Sequence, residues 1–309
     1  MSDKRNRFFC FGYGYTADYL GHYLQNNEQG WTIGGTTRDE DRRRELLARR
    51  VRARIFDIDH PIADPSTTFD RFSHLLISTP PDQNGDLVFN LHADDIARLK
   101  NLEWVGYLSS TGVYGNRDGA KVDENAELRP TSQRGSKRVF AEQQWLSLFH
   151  QHGIPVHIFR LAGIYGPGRS ALDSVRAGVA RRIDKPGHVF NRIHVEDIVQ
   201  ILLASFERPS PGAIYNLADD SPAPSHEVIA YACKLLRLTV PPVIPFEQAD
   251  LAPITLSFYK DNKHILNNKI KTELGVQLKY PDFRSGLEGC LQAEEEHARS
   301  QKRGLHGIG

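Results

Sequence analysis

The sequence is poor in cysteine, and the cysteines it has show no ligand pattern. Three are present in 309 residues, Cys10, Cys233 and Cys290, and they lie far apart in the chain. Disulfide frameworks and zinc sites need cysteine or histidine at close, regular spacing. We therefore expect neither a disulfide scaffold nor a metal site.

Long apolar runs and a large net charge are also absent. No apolar stretch approaches the roughly 20 residues that a membrane-spanning helix needs. The opening residues, MSDKRNR, lead directly into an apolar segment without signal-peptide character. A formal net charge of +1 provides no strong field for nucleic acid or an acidic membrane surface. We expect a cytoplasmic protein whose partner is a small-molecule substrate, with no nucleic acid and no membrane.

The first apolar segment runs straight into a glycine-rich turn. Gly12, Gly14 and Ala17 follow it in the order G-x-G-x-x-A. The first glycine permits a tight turn, the second lets the backbone approach a pyrophosphate, and the small third residue lets a helix lie close on its strand. This pattern predicts a dinucleotide site at a helix N-terminus. The predicted contacts here are Gly12, Gly14, Tyr15, Thr16 and Ala17.

The second predicted strand ends in hydroxyls and a cation. NAD sites usually carry an acid at this place, about 20 residues after the glycines, where it accepts from the ribose 2′-hydroxyl. Here the strand is followed by Thr36, Thr37 and Arg38. A guanidinium favours the 2′-phosphate of NADP, with Thr37 and Arg38 as contacts. Two alternatives stay open: Arg38 only begins a basic surface helix, or Asp39 binds the ribose of NAD.

Strand-like segments alternate with helical patterns along the first half of the chain. The predicted strands are residues 8–11, 31–35, 53–56, 74–78, 104–109 and 156–161. Alternation of this kind predicts an α/β fold with a doubly wound parallel sheet, the Rossmann architecture. Past Gly166 the pattern loosens and prolines accumulate. We therefore predict an NAD(P)-binding domain over 1–166, with a returning segment at about 192–218, and a smaller C-terminal substrate lobe over 167–309.

The residues that follow the other strands extend the predicted cofactor site. In a parallel α/β sheet, ligands bind in the crevice beyond the carboxyl ends of the strands. The further predicted cofactor contacts are Asp57, Ile58, Ser78, Thr79 and Pro80.

Several later segments resemble the extended short-chain dehydrogenase/reductase superfamily, which includes nucleotide-sugar epimerases and dehydratases. YLSSTGVYG at 107–115 is similar to the superfamily's fifth strand, FRLAGIYGPGR at 159–169 to its sixth strand, and RIHVEDIVQILL at 192–203 to its returning helix. The match covers nearly the whole chain. The resemblance implies an NAD(P)-dependent enzyme in which Ser110 hydrogen-bonds the substrate.

The catalytic pair of that superfamily is replaced in this chain. The pair is Tyr-x-x-x-Lys on the helix after the fifth strand, and alignment on Glu142 places Arg134 and Arg138 at its two positions. A register through Lys137 places Gln133 at the tyrosine position, so neither register restores the tyrosine. The resemblance is therefore to an atypical branch that lacks the pair.

Arginine cannot perform the tyrosine's proton transfer, because its guanidinium stays protonated in proteins. It can hold a carboxylate or phosphate, or stabilise a developing oxyanion. We predict such a role for Arg134, with a solvated helix residue as the alternative. Arg138 would keep the lysine's positive charge near the nicotinamide ribose. Tyr165 is the predicted proton donor.

Two functions remain open at this point. The first is an NADP-binding oxidoreductase or an epimerase/dehydratase-like enzyme. The second is a non-catalytic NADP(H)-binding sensor or regulatory protein. His194, Asp123 and Glu124 are alternative proton donors for the enzyme, and the resemblance leaves a homodimer open.

Overall fold

The computed structural model describes residues 6–27, 30–69 and 71–306. The strands are β1 (Arg7–Phe11), β2 (Thr32–Thr37), β3 (Arg52–Ile55), β4 (His74–Ile77), β5 (Trp104–Ser110), β6 (Lys121–Val122), β7 (Val156–Leu161), β8 (Gly163–Tyr165), β9 (Arg182–Asp184), β10 (Arg192–His194), β11 (Ile214–Leu217), β12 (Val243–Pro245) and β13 (His264–Ile265).

The α-helices lie between these strands and after them. They are α1 (Tyr15–Asn27), α2 (Glu40–Ala48), α3 (Pro65–Phe69), α4 (Leu87–Ala97), α5 (Gln133–His152), α6 (Ala171–Arg176), α7 (Val195–Glu207), α8 (Ser225–Leu235), α9 (Pro253–Phe258), α10 (Asn268–Thr272) and α11 (Phe283–His306). Short 3₁₀ helices occupy Thr111–Tyr114 and Phe246–Gln248.

A seven-stranded parallel sheet forms the centre of the molecule. Its order is β3-β2-β1-β4-β5-β7-β11, so the direction of winding reverses between β1 and β4. In open α/β sheets, such a reversal opens a crevice at the carboxyl ends of the strands. The prediction of a doubly wound parallel sheet is confirmed.

Alternation along the strands separates two apolar cores. Phe8 and Cys10 contribute to the core that also contains buried residues of α1 and α7. Phe9 and Phe11 contribute to the other, together with Trp145 of α5 and buried residues of α4. Successive strand side chains point to opposite faces, and helices cover both faces, so the strands read as continuous apolar runs.

The predicted strands agree with the sheet except at a few ends and at one missed strand. Residues 156–161 coincide with β7, whereas β2 begins one residue later and ends two residues later than predicted. Strand β11 was not predicted, although it pairs with β7 at the edge of the sheet. It has only four residues, and tertiary pairing determines such short strands more than their local sequence does.

A third apolar cluster lies apart from the two cores of the sheet, and we call the segments that form it the small lobe. Tyr165, Leu172, Val228, Phe283 and Leu287 belong to this third apolar cluster. Among the described residues, the strands outside the main sheet form two-stranded pairs, β8 with β10, β9 with β12 and β6 with β13. Within 6–27, 30–69 and 71–306, no helix is long and apolar enough to cross a membrane.

Candidate functional site

Gly12 holds the turn between β1 and α1 in a conformation that other residues rarely adopt. Its φ is +76°, and its amide donates to Thr36 Oγ1 at 2.9 Å. A Cβ at this position would lie 3.1 Å from both the Cγ2 and the backbone nitrogen of Thr79. Backbone conformation and space therefore both require glycine here.

Gly14 presents the open side of the same turn. A Cβ there would meet only the carbonyl oxygen of Gly12, at 3.8 Å. Helix α1 begins at the next residue, Tyr15, so the free amides of its first turn lie beside this open space. Ala17 is fully buried and lets α1 lie close on the sheet. This open, amide-lined cradle fits the pyrophosphate of a dinucleotide.

The end of β2 leaves Arg38 exposed and uses its neighbours for local structure. Thr36 is buried under Gly12, and Thr37 Oγ1 accepts from the amide of Asp39 at 3.2 Å. Asp39 caps α2, where its carboxylate accepts from the amide of Arg42 at 2.7 Å. The carboxylate of Asp39 therefore already has a structural partner.

The basic helix α2 neutralises most of its own charge. Arg43 pairs with Glu40 at 2.6 Å and Arg44 with Asp41 at 3.1 Å. These are exposed pairs within one helix, which hold the side chains along the helix surface and contribute little to stability.

The ends of β3 and β4 carry the other predicted cofactor contacts. Asp57 Oδ1 accepts from the amides of Asp59 and His60, each at 2.9 Å. The contact with His60 holds the pKa of Asp57 below its usual value. Ile58 is 65% exposed, which is unusual for an apolar residue at a strand end. Among the described residues, none provides a hydrogen-bond partner for the buried hydroxyl of Thr79.

A cleft of about 600 Å³ opens at the carboxyl ends of β4, β5 and β7. From the cofactor side it is lined by Tyr15, Thr16, Ser78, Pro80, Pro81 and Leu108, and from the middle by Ser109, Ser110, Thr111, Gly112 and Arg138. The remaining wall consists of Ser132, Arg134, Gly135, Leu161, Ala162, Gly163, Ile164, Arg169, Val189, Phe190, Asn191, Ser257, Phe258, Asp261 and Lys263. The other predicted cofactor contacts, at the ends of β1, β2 and β3 and at Thr79 after β4, do not line this cavity.

Ser110 lies at the end of β5 with its hydroxyl at the cleft. Its Oγ accepts from the amide of Gly112 at 3.1 Å and begins the following 3₁₀ helix. The neighbouring Ser109 donates to buried Glu142 at 2.5 Å, and Glu142 pairs with Arg160 at 2.7 Å. This buried ion pair ties β5, α5 and β7 together directly beneath Ser110.

Arg138 lines the cleft from α5 and is held by β5. Its Nη1 donates to Tyr107 Oη at 3.2 Å and to the carbonyl of Leu108, and its guanidinium lies 5.6 Å from the Tyr107 ring centre. Burial raises the pKa of nearby Asp86 to about 6, and the charge of Arg138 opposes that rise. The guanidinium is thereby positioned at the edge of the cleft next to Ser110's strand.

Arg134 also reaches the cleft, where it contacts two residues of α9. Its Nη2 donates to Ser257 Oγ at 2.9 Å, and its guanidinium lies 5.0 Å from the Phe258 ring centre. Arg134 and both of these partners line the cavity. Arg134 is nevertheless exposed, as the alternative of a solvated helix residue requires.

Tyr165 is a predicted site residue that the structure does not bring to the cleft. Its side chain packs in the third apolar cluster, where the hydroxyl donates to the carbonyl of Asp282 at 3.5 Å. Its neighbour His194 is fully buried, and burial lowers the pKa of that ring to about 4. Strand β8 leads away from the sheet, which turns both side chains into the small lobe.

The two acidic alternatives also have structural contacts. Asp123 accepts from the amide of Asn125 at 3.0 Å, and Glu124 accepts from the amide of Asn216 at 2.8 Å. Neither lines the cleft.

Two cationic residues of the cleft were missed from the sequence. Arg169 follows a tight turn in which Gly168 has φ +72°, and its guanidinium lies 5.5 Å from the ring centre of Tyr15. The Tyr15 hydroxyl donates to the carbonyl of Pro167 at 3.0 Å. The Gly-Pro-Gly-Arg turn was a usable local signal for Arg169. Lys263 had none, because only packing brings it to this wall.

Comparison with known proteins agrees with this architecture. Residues 84–218 match the model of the NAD dependent epimerase/dehydratase family. A solved dTDP-glucose 4,6-dehydratase from Bacillus anthracis str. Ames, in complex with NAD, has the same fold, with TM-score 0.75 and 16% identity over 94% of this chain and 97% of that one. The family model thus covers less than half of this chain, and the solved dehydratase shares its fold.

Two other known proteins are more similar to this chain in sequence. A functionally unknown conserved protein from Silicibacter pomeroyi DSS is 49% identical, with TM-score 0.85 over 94% of this chain and 99% of that one. Protein YeeZ of Escherichia coli (strain K12) is 30% identical over 192 residues, 61% of this chain and 62% of that protein. The match therefore spans less than two thirds of that relative's length.

Proposed function

We propose that this protein is an NADP-dependent oxidoreductase that reduces the carbonyl group of a small molecule. The observation that carries the proposal is the continuity of the cleft, which runs from Tyr15 beside the glycine turn, past Ser110, to Arg134. Bound NADPH would supply the hydride. Residues around β1 and β2 would bind it, and Ser110, Arg134 and Arg138 would prepare the carbonyl.

The residues around β1 and β2 support binding of NADP. The open cradle at Gly14 accommodates a pyrophosphate, with Tyr15, Thr16 and Ala17 in the first turn of α1. Arg38 is exposed beyond β2, whereas Asp39 is engaged as a helix cap. This difference supports a 2′-phosphate contact by Arg38 and Thr37 over a ribose contact by Asp39. Asp57 and Ile58 would lie beside the adenosine, and Ser78, Thr79 and Pro80 beside the nicotinamide half.

The donors and positive charges of Ser110, Arg134 and Arg138 in the cleft favour reduction of a carbonyl. A carbonyl that accepts hydride develops negative charge on its oxygen, and preorganised donors stabilise that charge. Ser110 Oγ accepts one hydrogen bond from Gly112, which leaves its own hydrogen to donate to such an oxygen. Arg134 would stabilise the same oxyanion or bind an anionic part of the substrate. Arg138 would hold the nicotinamide ribose.

Epimerisation and dehydration are less compatible with these side chains. In the superfamily that the chain resembles, the catalytic tyrosine exchanges a proton with the substrate hydroxyl. Arg134 occupies its position and cannot give up a proton. Reduction of a carbonyl can draw its proton from solvent in the open cleft after the oxyanion has formed.

One experiment tests the enzyme against a non-catalytic sensor. The replaced catalytic pair is the observation that favours the sensor. The purified protein is incubated with NADPH and a panel of small aldehydes, ketones and 2-oxo acids, and NADPH absorbance is followed. We expect turnover in the parent and its loss in Ser110→Ala, with NADPH affinity retained. Tight NADPH binding without turnover across the panel would favour the sensor, and absence of NADPH binding would refute both functions.

A further inference from the structure

We propose that the substrate of this cleft is a small organic anion, with a carboxylate or phosphate bound by Arg134 and Lys263 and an apolar body against Phe190 and Phe258. The inference rests on the proposed function, because it concerns the same cleft. It separates this chain from enzymes whose substrate is a nucleotide sugar.

The charge of the cleft wall is the first argument. Four cations line it, Arg134, Arg138, Arg169 and Lys263, against the single carboxylate of Asp261. Within the described part of the chain, neither Arg134 nor Arg169 forms an ion pair. A concave wall with this excess of positive charge attracts and retains anions.

Lys263 is a buried cation, and within the described part of the chain its ammonium has only two polar partners. Its side chain is 6% exposed, and its Nζ donates to the carbonyl of Gly115 at 2.9 Å and lies 3.5 Å from Asp261. An ammonium has three donors, so one is left for a ligand. Burial lowers the pKa of Lys263, and an anion in the cleft would offset that cost of desolvation.

Arg134 is the third argument, since its contacts within the chain are weak for a guanidinium. Its named partners are a neutral hydroxyl, Ser257, and the ring face of Phe258. A guanidinium has five donors in a rigid fork that matches a carboxylate or phosphate. Arg134 also lies in the first turn of α5, whose N-terminal amides add positive potential to the same wall.

The connection between these two cations comes from the segment that ends at Lys263. Ser257 on this segment contacts Arg134, and Asp261 accepts from Thr131 just before α5. Asp261 also pairs with Lys263. The start of α5 and residues 257–263 therefore form one wall with a cation on each side.

Size and apolarity complete the argument. The cavity of about 600 Å³ reaches Tyr15 and Ser78 on the cofactor side, so the nicotinamide end and the substrate must share it. Ile164, Val189, Phe190 and Phe258 supply apolar surface beyond the cations. That space suits one anionic group on a compact apolar body, whereas a nucleotide sugar would need room for a base, two sugars and a diphosphate.

The test uses the full chain saturated with NADP and calorimetric titration with benzoate, phenyl phosphate, benzyl alcohol and UDP-glucose. We expect at least one of the two aromatic anions to bind at least tenfold more tightly than neutral benzyl alcohol, and the better one identifies the preferred anionic group. UDP-glucose should bind more weakly than that anion. Equal binding of benzyl alcohol, tighter binding of UDP-glucose, or no binding of either anion would overturn the proposal.

The variants Arg134→Gln and Lys263→Met locate the anion, with Arg98→Gln as the control outside the cleft. Arg134→Gln should weaken binding of the better anion at least tenfold while NADPH affinity stays at the parent value. Lys263→Met removes the contact with Gly115, so the folding of this variant is checked by thermal unfolding. If Lys263→Met is unfolded, the result for Arg134→Gln alone decides the proposal. Parent-like anion binding in Arg134→Gln would overturn the proposal, whereas failure of NADPH to bind the parent would refute the proposed function instead.

Discussion

Two alanine variants of the glycine turn should have different effects. Gly14→Ala should weaken NADPH binding at nearly unchanged stability, and Gly12→Ala should lower the free energy of unfolding. Gly14→Ala places a methyl group where only the Gly12 carbonyl oxygen lies within 4 Å, at 3.8 Å. The folded protein has room for that methyl, so the free energy of unfolding should change by less than about 0.5 kcal/mol. The same methyl projects into the open cradle, where backbone and pyrophosphate would meet.

The expected loss of binding follows from the hydrogen bonds that the methyl would displace. Hydrogen bonds to a charged group contribute about 1.5 to 3 kcal/mol each. Loss of one such bond therefore weakens NADPH binding at least about tenfold, since 1.4 kcal/mol corresponds to a factor of ten. Gly14→Ala should show this weaker binding at nearly unchanged stability.

Gly12→Ala should instead destabilise the fold. Alanine at φ +76° costs about 1 to 2 kcal/mol. Its Cβ would also lie 3.1 Å from two atoms of Thr79, and overpacking of this kind costs about 1 to 3 kcal/mol. Gly178→Ala is the matched control, because Gly178 has φ +69° with no atom within 4 Å of a built Cβ. The excess loss in Gly12→Ala then measures the crowding alone.

Denaturant unfolding and fluorescence titration with NADPH measure the two quantities on the same preparations. Parent-like NADPH affinity in folded Gly14→Ala would show that no pyrophosphate lies at this turn. A Gly12→Ala protein no less stable than Gly178→Ala would refute the packing argument at Thr79.

Other perturbations test the cofactor preference and the buried polar groups. Arg38→Ala should reduce the preference for NADPH over NADH by about 1.5 to 3 kcal/mol, the contribution of a hydrogen bond to a charged group; an unchanged ratio of the two affinities would exclude a 2′-phosphate contact. Glu142→Gln leaves buried Arg160 without its carboxylate and should destabilise the fold by about 3 to 5 kcal/mol in denaturant unfolding. Glu127 forms an exposed ion pair with Arg129, and the matched change Glu127→Gln should have no measurable effect on the free energy of unfolding. Equal losses of stability in the two variants would contradict the role of burial. Burial lowers the pKa of His157 from 6.5 to about 4, so unfolding takes up a proton as the pH falls through that window, and stability is lost there. His157→Gln should flatten this part of the stability profile, and a slope equal to the parent's would contradict the assignment.

The predicted catalytic residues show where local sequence stops being informative. The order of residues around Ser110, Arg134 and Arg138 placed all three near one strand end, and all three line the cleft. Tyr165 follows the end of β7 by only four residues, yet β8 turns its side chain into the small lobe. Side-chain direction after a strand depends on what the following segment packs against, and no local pattern encodes that.

Partners distant in sequence explain why Lys263 was missed and why the contacts of Arg134 were not predicted. Lys263 donates to the carbonyl of Gly115, 148 residues earlier, and Arg134 donates to Ser257, 123 residues later. Arg160 and Glu142 are buried together because β7 and α5 pack against each other. Such contacts depend on how these segments pack in the folded chain.

The sequence by itself determined the parallel sheet and the glycine turn at Gly12 and Gly14, and it predicts the replacement of the tyrosine and lysine pair. These features reside in local chemistry: strand and helix periodicity, the conformational freedom of glycine, and residue identity. Only the tertiary structure placed β11 at the sheet edge, turned Tyr165 away from the cleft, and brought Arg169 and Lys263 into it. The physical reason is that packing joins segments more than a hundred residues apart, and burial, charge and orientation at the site are properties of that packing.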